Sequence, residues 1–135
     1  LIFEEYISGM ELTSAVISLN NKLIALDVTE IKPKNKYFDY QAKYTKGFSK
    51  HILPANISKK NYKKCLIFAL KAHKVLRCNS ISRSDFIYNF KQNKIYYLET
   101  NTQPGMTNLS LVPEQARFNK ISFEKIVLDL LINAK

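Results

Sequence analysis

Arg83 and Asp85 stand two positions apart in "SRSDF", and Glu99 and Asn101 two positions apart in "YLETNTQPGM". A strand sends residues i and i+2 to the same face, so each pair points one way. The second pair closes an apolar strand that runs at once into a Pro-Gly turn. If the two segments form one hairpin, an Asp, a Glu and an Asn converge with an arginine beside them. Such an all-oxygen set suits Mg²⁺, which takes carboxylates together with phosphate oxygens and water; zinc would want His or Cys. The plainer alternative is a pair of solvated carboxylates near a strand end, with a surface Arg–Asp pair worth less than about 1 kcal/mol.

The elements that must position these groups follow from hydrophobic spacing. "LTSAVISL" (Leu12 to Leu19) and "KLIALDV" (Lys22 to Val28) read as strands about a tight Asn20-Asn21 turn. From Pro33 to Pro54 the chain is polar, with Tyr37, Phe38, Tyr40 and Tyr44 among lysines and neither helical nor strand period. A loop of that length is often a lid or binding loop. Ser58 can cap a helix to about Arg77, in which Tyr62, Leu66, Ala69, Leu70, His73 and Leu76 recur at helical spacing. Ser80 to Phe90 and Lys94 to Thr100 form a second strand pair about "KQN". An irregular Asn101 to Val112, a short helical segment near Pro113 to Phe118 and a final helix from a Ser122 cap complete the chain. This order predicts an α+β fold, mostly antiparallel sheet with the helices packed on one face.

At 135 residues and 46% hydrophobic, the chain suits a single domain, 1–135. It opens on Leu, and "LIFEEY" reads as the middle of a strand, so a piece of a longer protein is expected. The net charge of +10 raises a nucleic-acid reading. Lysines spread along the chain, with no arginine cluster, no zinc spacing and no helix with a basic stripe, argue against it. Cys65 and Cys78 form no C-x-x-C pair and read as free thiols, small hydrophobes in a reducing compartment. His73 reads as a core histidine on a helix face and His51 as a loop residue. No apolar run is long enough for a membrane span and no signal peptide stands out, so a cytoplasmic location is expected.

"SRSDF", "YFDYQAKYTKG" and "YYLETNTQPGMTNLSLVPEQA" together resemble the C-terminal ATP-grasp domain of D-alanine–D-alanine ligase, and the likeness runs from "FEEYISGMELTSAVI" to the last helix. The resemblance implies an ATP-dependent ligase of peptidoglycan precursor synthesis working through a D-alanyl phosphate. By position it implies Asp85, Glu99 and Asn101 as ligands of two Mg²⁺ ions, with Mn²⁺ a substitute. It makes Arg83 the cation that stabilises the transferring phosphoryl group and the tetrahedral intermediate. Lys43 and Tyr44 match the lid, within the loop at about 33–54, whose lysine approaches the γ-phosphate. Glu4 matches the acceptor for the adenine amino group, with the Ile7 backbone at the ring edge, and Glu11 the ribose ligand. Gly105, Ser110 and Leu111 match the segment holding the second D-alanine.

Two local departures stand beside these positions. Glu5 replaces a common lysine next to the adenine glutamate, and Gln41 replaces the usual glutamate in the lid motif. The larger departure is that the family's N-terminal and central domains have no counterpart here, so the resemblance implies half of a site, inactive alone. The family is typically dimeric. Rival readings are another ATP-grasp carboxylate-amine ligase, a D-alanine–D-lactate ligase and, from a different class, a non-catalytic basic binding module.

Overall fold

The computed structural model describes residues 1, 3–33 and 49–134. Its elements are β1 (Met10–Leu19), β2 (Lys22–Pro33), β3 (Ser49–Ile52), α1 (Lys59–Val75), β4 (Ile81–Asn89), β5 (Lys94–Asn101), α2 (Leu111–Phe118) and α3 (Phe123–Asn133). Asn20 and Asn21 take left-handed backbone, φ 52° and 60°, which gives the β1–β2 turn the geometry a two-residue hairpin needs. Ser58 and Ser122 accept from the N–H groups of Asn61 and Lys125 and so start α1 and α3 where the sequence places the caps. All strand pairings are antiparallel, in one sheet of order β3-β2-β1-β4-β5.

β1 is apolar on both of its alternations, and this decides the layering. Leu12 and Val16 join Val28, Phe86 and Tyr88 beneath Cys65 and Ala69 of α1. Ala15, Ile17 and Leu19 join Leu26 beneath Val112 and Ala116 of α2 and Ile126 of α3. A strand buried on both sides needs cover on both sides. The α+β antiparallel design therefore stands, but the helices lie on two faces of the sheet rather than one. Small buried side chains, Ser14, Ser82 and Ser84, leave room for α1, and His73 Nδ1 lies 2.8 Å from Ser82 Oγ.

Four further expectations are corrected. Residues 1 and 3–8 form no strand, and β1 begins only at Met10. The polar stretch from Pro33 to Pro54 contains β3, too short and too polar to announce itself by pattern, and it places His51 on a strand rather than a loop. α2 starts at Leu111, two residues before Pro113, and α1 reaches Val75. Lastly, α1 does carry a basic stripe: burial of Asn61, Cys65, Ala69 and His73 at four-residue spacing turns Lys59, Lys60, Lys63, Lys64, Lys71 and Lys74 outward. Among the described residues, no helix is long and apolar enough to cross a membrane.

Candidate functional site

The β4–β5 register places Asp85 opposite Glu99 and Arg83 opposite Asn101. All four side chains therefore start from one face of the sheet, the face covered by α2 and α3. Simple alternation along β5 would put Tyr97 there too, yet Tyr97 pairs with Phe86 and meets its ring edge-on with centroids 6.0 Å apart. The reason is an extra residue, Leu98: Asp85 and Phe86 are consecutive, while their partners are Glu99 and Tyr97. Such a bulge re-aims the side chains that follow it.

Arg83 grips Asp85 with a fork, Nε to Oδ1 at 2.9 Å and Nη2 to Oδ2 at 2.8 Å. Both side chains are about four-fifths buried, at 21% and 22% exposure. Thr13 Oγ1 adds a third donor, 2.6 Å from Asp85 Oδ1. Glu99 is exposed, and Asn101 Oδ1 accepts from the Gln103 N–H at 2.9 Å, which bends the chain out of the sheet toward Pro104.

Two residues absent from the sequence reading shape this site. Thr13 faces Asp85 across β1–β4 and Thr29 across β1–β2. Gln115, fully buried on α2, accepts from the Ala15 N–H at 2.9 Å and donates to the Thr13 carbonyl at 3.1 Å and to Thr29 Oγ1 at 2.9 Å. It does so where the β1–β2 ladder slips, with Ser14 opposite Val28 but Val16 opposite Ala25. The same irregularity is held from the other side by Tyr62 of α1, whose hydroxyl donates to Asp27 and accepts from the Val28 N–H. Burial, then that bond to Asp27, pushes the Tyr62 phenol well above its usual range. The available signal for Gln115 was a polar residue on the inward side of a short helix, which reads equally well as surface.

At the other end of the site, Gly105 lies against Ser110: a Cβ on Gly105 would fall 2.8 Å from Ser110 Oγ. Ser110 precedes α2 but makes no side-chain cap bond; its Oγ instead accepts from the Thr107 N–H at 3.0 Å. Arg117 Nη2 donates to the Asn108 carbonyl and ties this loop to α2. Glu114 of α2 meets His51 Nδ1 at 2.8 Å, joining β3 to the same helix. Glu11 lies on β1 two residues before Thr13 and on the same face, with Glu4 exposed and Ile7 half-buried upstream. Lys43 and Tyr44 lie outside the described residues.

The donor set fits a hard divalent cation: two carboxylates and an amide oxygen, with no His or Cys among them. Among the described residues Asp85 Oδ2 accepts from one Arg83 nitrogen, which leaves a lone pair for a metal. Among the described residues no three His, Cys, Asp or Glu side chains gather into a metal-holding group, so the remaining ligands would have to come from a substrate or water.

An antiparallel sheet whose last strands deliver Arg83, Asp85, Glu99 and Asn101 to one face, beside a serine-led helix, is the C-terminal lobe of an ATP-grasp fold. Two solved structures carry that match: D-alanyl-alanine synthetase A from Vibrio cholerae, TM-score 0.81 at 25% identity over 96% of this chain and 40% of that one, and the Bacillus anthracis D-alanine–D-alanine ligase complexed with ATP, TM-score 0.74 at 26% identity over 96% of this chain and 41% of that one. The chain belongs to the family described as D-ala D-ala ligase C-terminus, whose model matches residues 1–132. A D-alanine–D-alanine ligase of Wolbachia pipientis wMel is 52% identical over 128 residues, 94% of this chain but 39% of that relative's length.

Proposed function

We propose that this chain supplies the ATP and second-D-alanine half of an ATP-dependent D-alanine–D-alanine ligase. The observation that carries the reading is the register that sets Asp85, Glu99 and Asn101 on one face, with the Arg83 fork on Asp85 beside them. In the complete reaction, ATP phosphorylates the carboxylate of a first D-alanine, the amine of the second attacks that acyl phosphate, and inorganic phosphate leaves. The first D-alanine and the far side of the nucleotide belong to the part of the relatives that this chain does not span.

Asp85, Glu99 and Asn101 would hold Mg²⁺. When bound, the cation offsets the charge of the phosphate oxygens. Arg83, held beside Asp85 by its fork, would stabilise the charge that builds during both transfers. Glu4 and the Ile7 backbone take the adenine edge and Glu11 the ribose hydroxyls. Glu11 and Asp85 lie on one sheet face, on either side of the buried Thr13. Ser110 Oγ and the Leu111 N–H bind the carboxylate of the second D-alanine, and Gly105 leaves the space. Lys43 and Tyr44 belong to a lid that keeps water from the acyl phosphate.

Calorimetric titration of Mg²⁺-ATP into the chain and into the folded Glu99→Ala/Asn101→Ala variant tests the reading. Weak, magnesium-dependent binding that the variant loses is the expected result. Equal binding by both proteins overturns the cation assignment, and robust ligase activity from these 135 residues alone overturns the half-site.

A further inference from the structure

We infer that Gln115 is a positioning residue for the cation site, acting through Thr13; this rests on the half-site reading above. Gln115 is completely buried and spends its whole amide on β1 and β2: Oε1 on the Ala15 N–H, Nε2 on the Thr13 carbonyl and on Thr29 Oγ1. Ala15 N–H and Thr13 C=O are two residues apart and point the same way, the pattern a neighbouring strand would normally satisfy. The side-chain amide thus stands in for a peptide unit where the β1–β2 ladder slips. Thr13 is thereby fixed by its backbone on one side, and its hydroxyl reaches 2.6 Å to Asp85 Oδ1 on the other.

The hydroxyl has one hydrogen and two acceptors in reach, Asp85 Oδ1 at 2.6 Å and the Ser84 carbonyl at 3.3 Å, and the shorter contact to a carboxylate takes it. With Thr13 and Arg83 Nε both on Oδ1, the Asp85 carboxylate is held with Oδ2 as its less occupied oxygen. A side chain from α2, the helix that Ser110 leads, therefore sets which Asp85 oxygen is turned to a cation. Partners of this outer kind fix ligand orientation.

Two measurements test this separately from the half-site. The first needs no ligand: solvent exchange of the Arg83 Nε–H proton, read by ¹H–¹⁵N NMR. Thr13→Val, which replaces the hydroxyl by a methyl group, and Gln115→Met, which removes the amide, are expected to speed this exchange about tenfold, whereas Thr13→Ser restores the wild-type rate. The second is Mn²⁺ affinity in the presence of ATP, expected to fall about tenfold or more in Thr13→Val and to recover in Thr13→Ser. Thr13→Val keeps the branched shape of the side chain, and Thr13→Ser keeps the hydroxyl, so the test survives even if Gln115→Met does not fold; the fold of each variant is checked first by its amide spectrum. Unchanged Arg83 exchange in folded Thr13→Val overturns the inference whatever the nucleotide does. Faster exchange with no Mg²⁺-ATP binding by the wild type leaves the positioning intact and removes the half-site reading instead.

Discussion

Replacing Gly9 by alanine tests how the proposed adenine-binding residues upstream of β1 are anchored. An added Cβ would fall 2.4 Å from the Tyr88 carbonyl oxygen, 2.6 Å from Ile87 Cγ2 and 2.8 Å from the Tyr88 carbonyl carbon. Relief needs a shift of about 1 Å to reach ordinary packing distances. β4 cannot supply it, because Tyr88 is paired with Met10 on one side and Ile95 on the other. The part that gives way is the stretch before β1, where Phe3, Glu4, Glu5 and Tyr6 are exposed and belong to no element. Overpacking costs about 1–3 kcal/mol, and a domain of this size loses roughly 3–5 °C of Tm per kcal/mol. A segment free to move keeps the cost near the lower end, so a fall of about 5 °C is expected. On the proposed function the cost to binding is larger in proportion, because the clash displaces Glu4 and Ile7 relative to Glu11 and Asp85. Losing one hydrogen bond to a carboxylate costs about 1.5–3 kcal/mol, a tenfold or greater loss of ATP affinity. Thermal unfolding and Mg²⁺-ATP calorimetry on Gly9→Ala, Glu4→Ala and the double variant measure both. The double variant should bind no worse than Gly9→Ala. An unchanged Tm with unchanged affinity in Gly9→Ala would refute this anchoring.

Burial pushes the Cys65 thiol up to about 12, so at pH 8 its thiolate fraction is about 10⁻⁴, against about a quarter for an ordinary thiol. Maleimide should label the half-buried Cys78 in the native chain and reach Cys65 only after unfolding; equal native labelling would contradict the packing of α1. Burial also holds His73 below its usual value, so the unfolded chain takes up the proton first. This contribution to stability is complete above about pH 6.5 and is lost as pH falls through the folded value. Tm measured from pH 7.5 to 5 should show this loss in the wild type and less of it in His73→Asn, with His51 present in both; identical profiles would remove His73 from the account.

What the sequence made legible was whatever repeats with a short period. The Asn20-Asn21 turn, the Ser58 and Ser122 caps and the shared direction of Arg83 with Asp85 and Glu99 with Asn101 each depend on local chemistry only. Features that depend on what lies across the fold were missed. "LTSAVISL" is apolar on both alternations, but only the packed structure shows two helical layers using them. β3 is held by β2 and by His51 on Glu114, not by its own composition. Gln115 looks like a surface residue until the slipped β1–β2 ladder supplies its partners. Leu98 changes phase without any glycine or proline to mark it.

That change of phase separates two demands on one strand. In a regular strand the parity that serves packing also dictates the parity of any ligand further along. In β5, Ile95 and Tyr97 serve the α1 face while Glu99 and Asn101 serve the other, although all four positions are odd. One surplus residue makes β5 two modules in series, so substitutions that repack the hairpin end leave the aim of the oxygen donors unchanged. Removing Leu98's slack would keep the spacing between Glu99 and Asn101 while coupling their direction to the hairpin, and the strand would lose that independence.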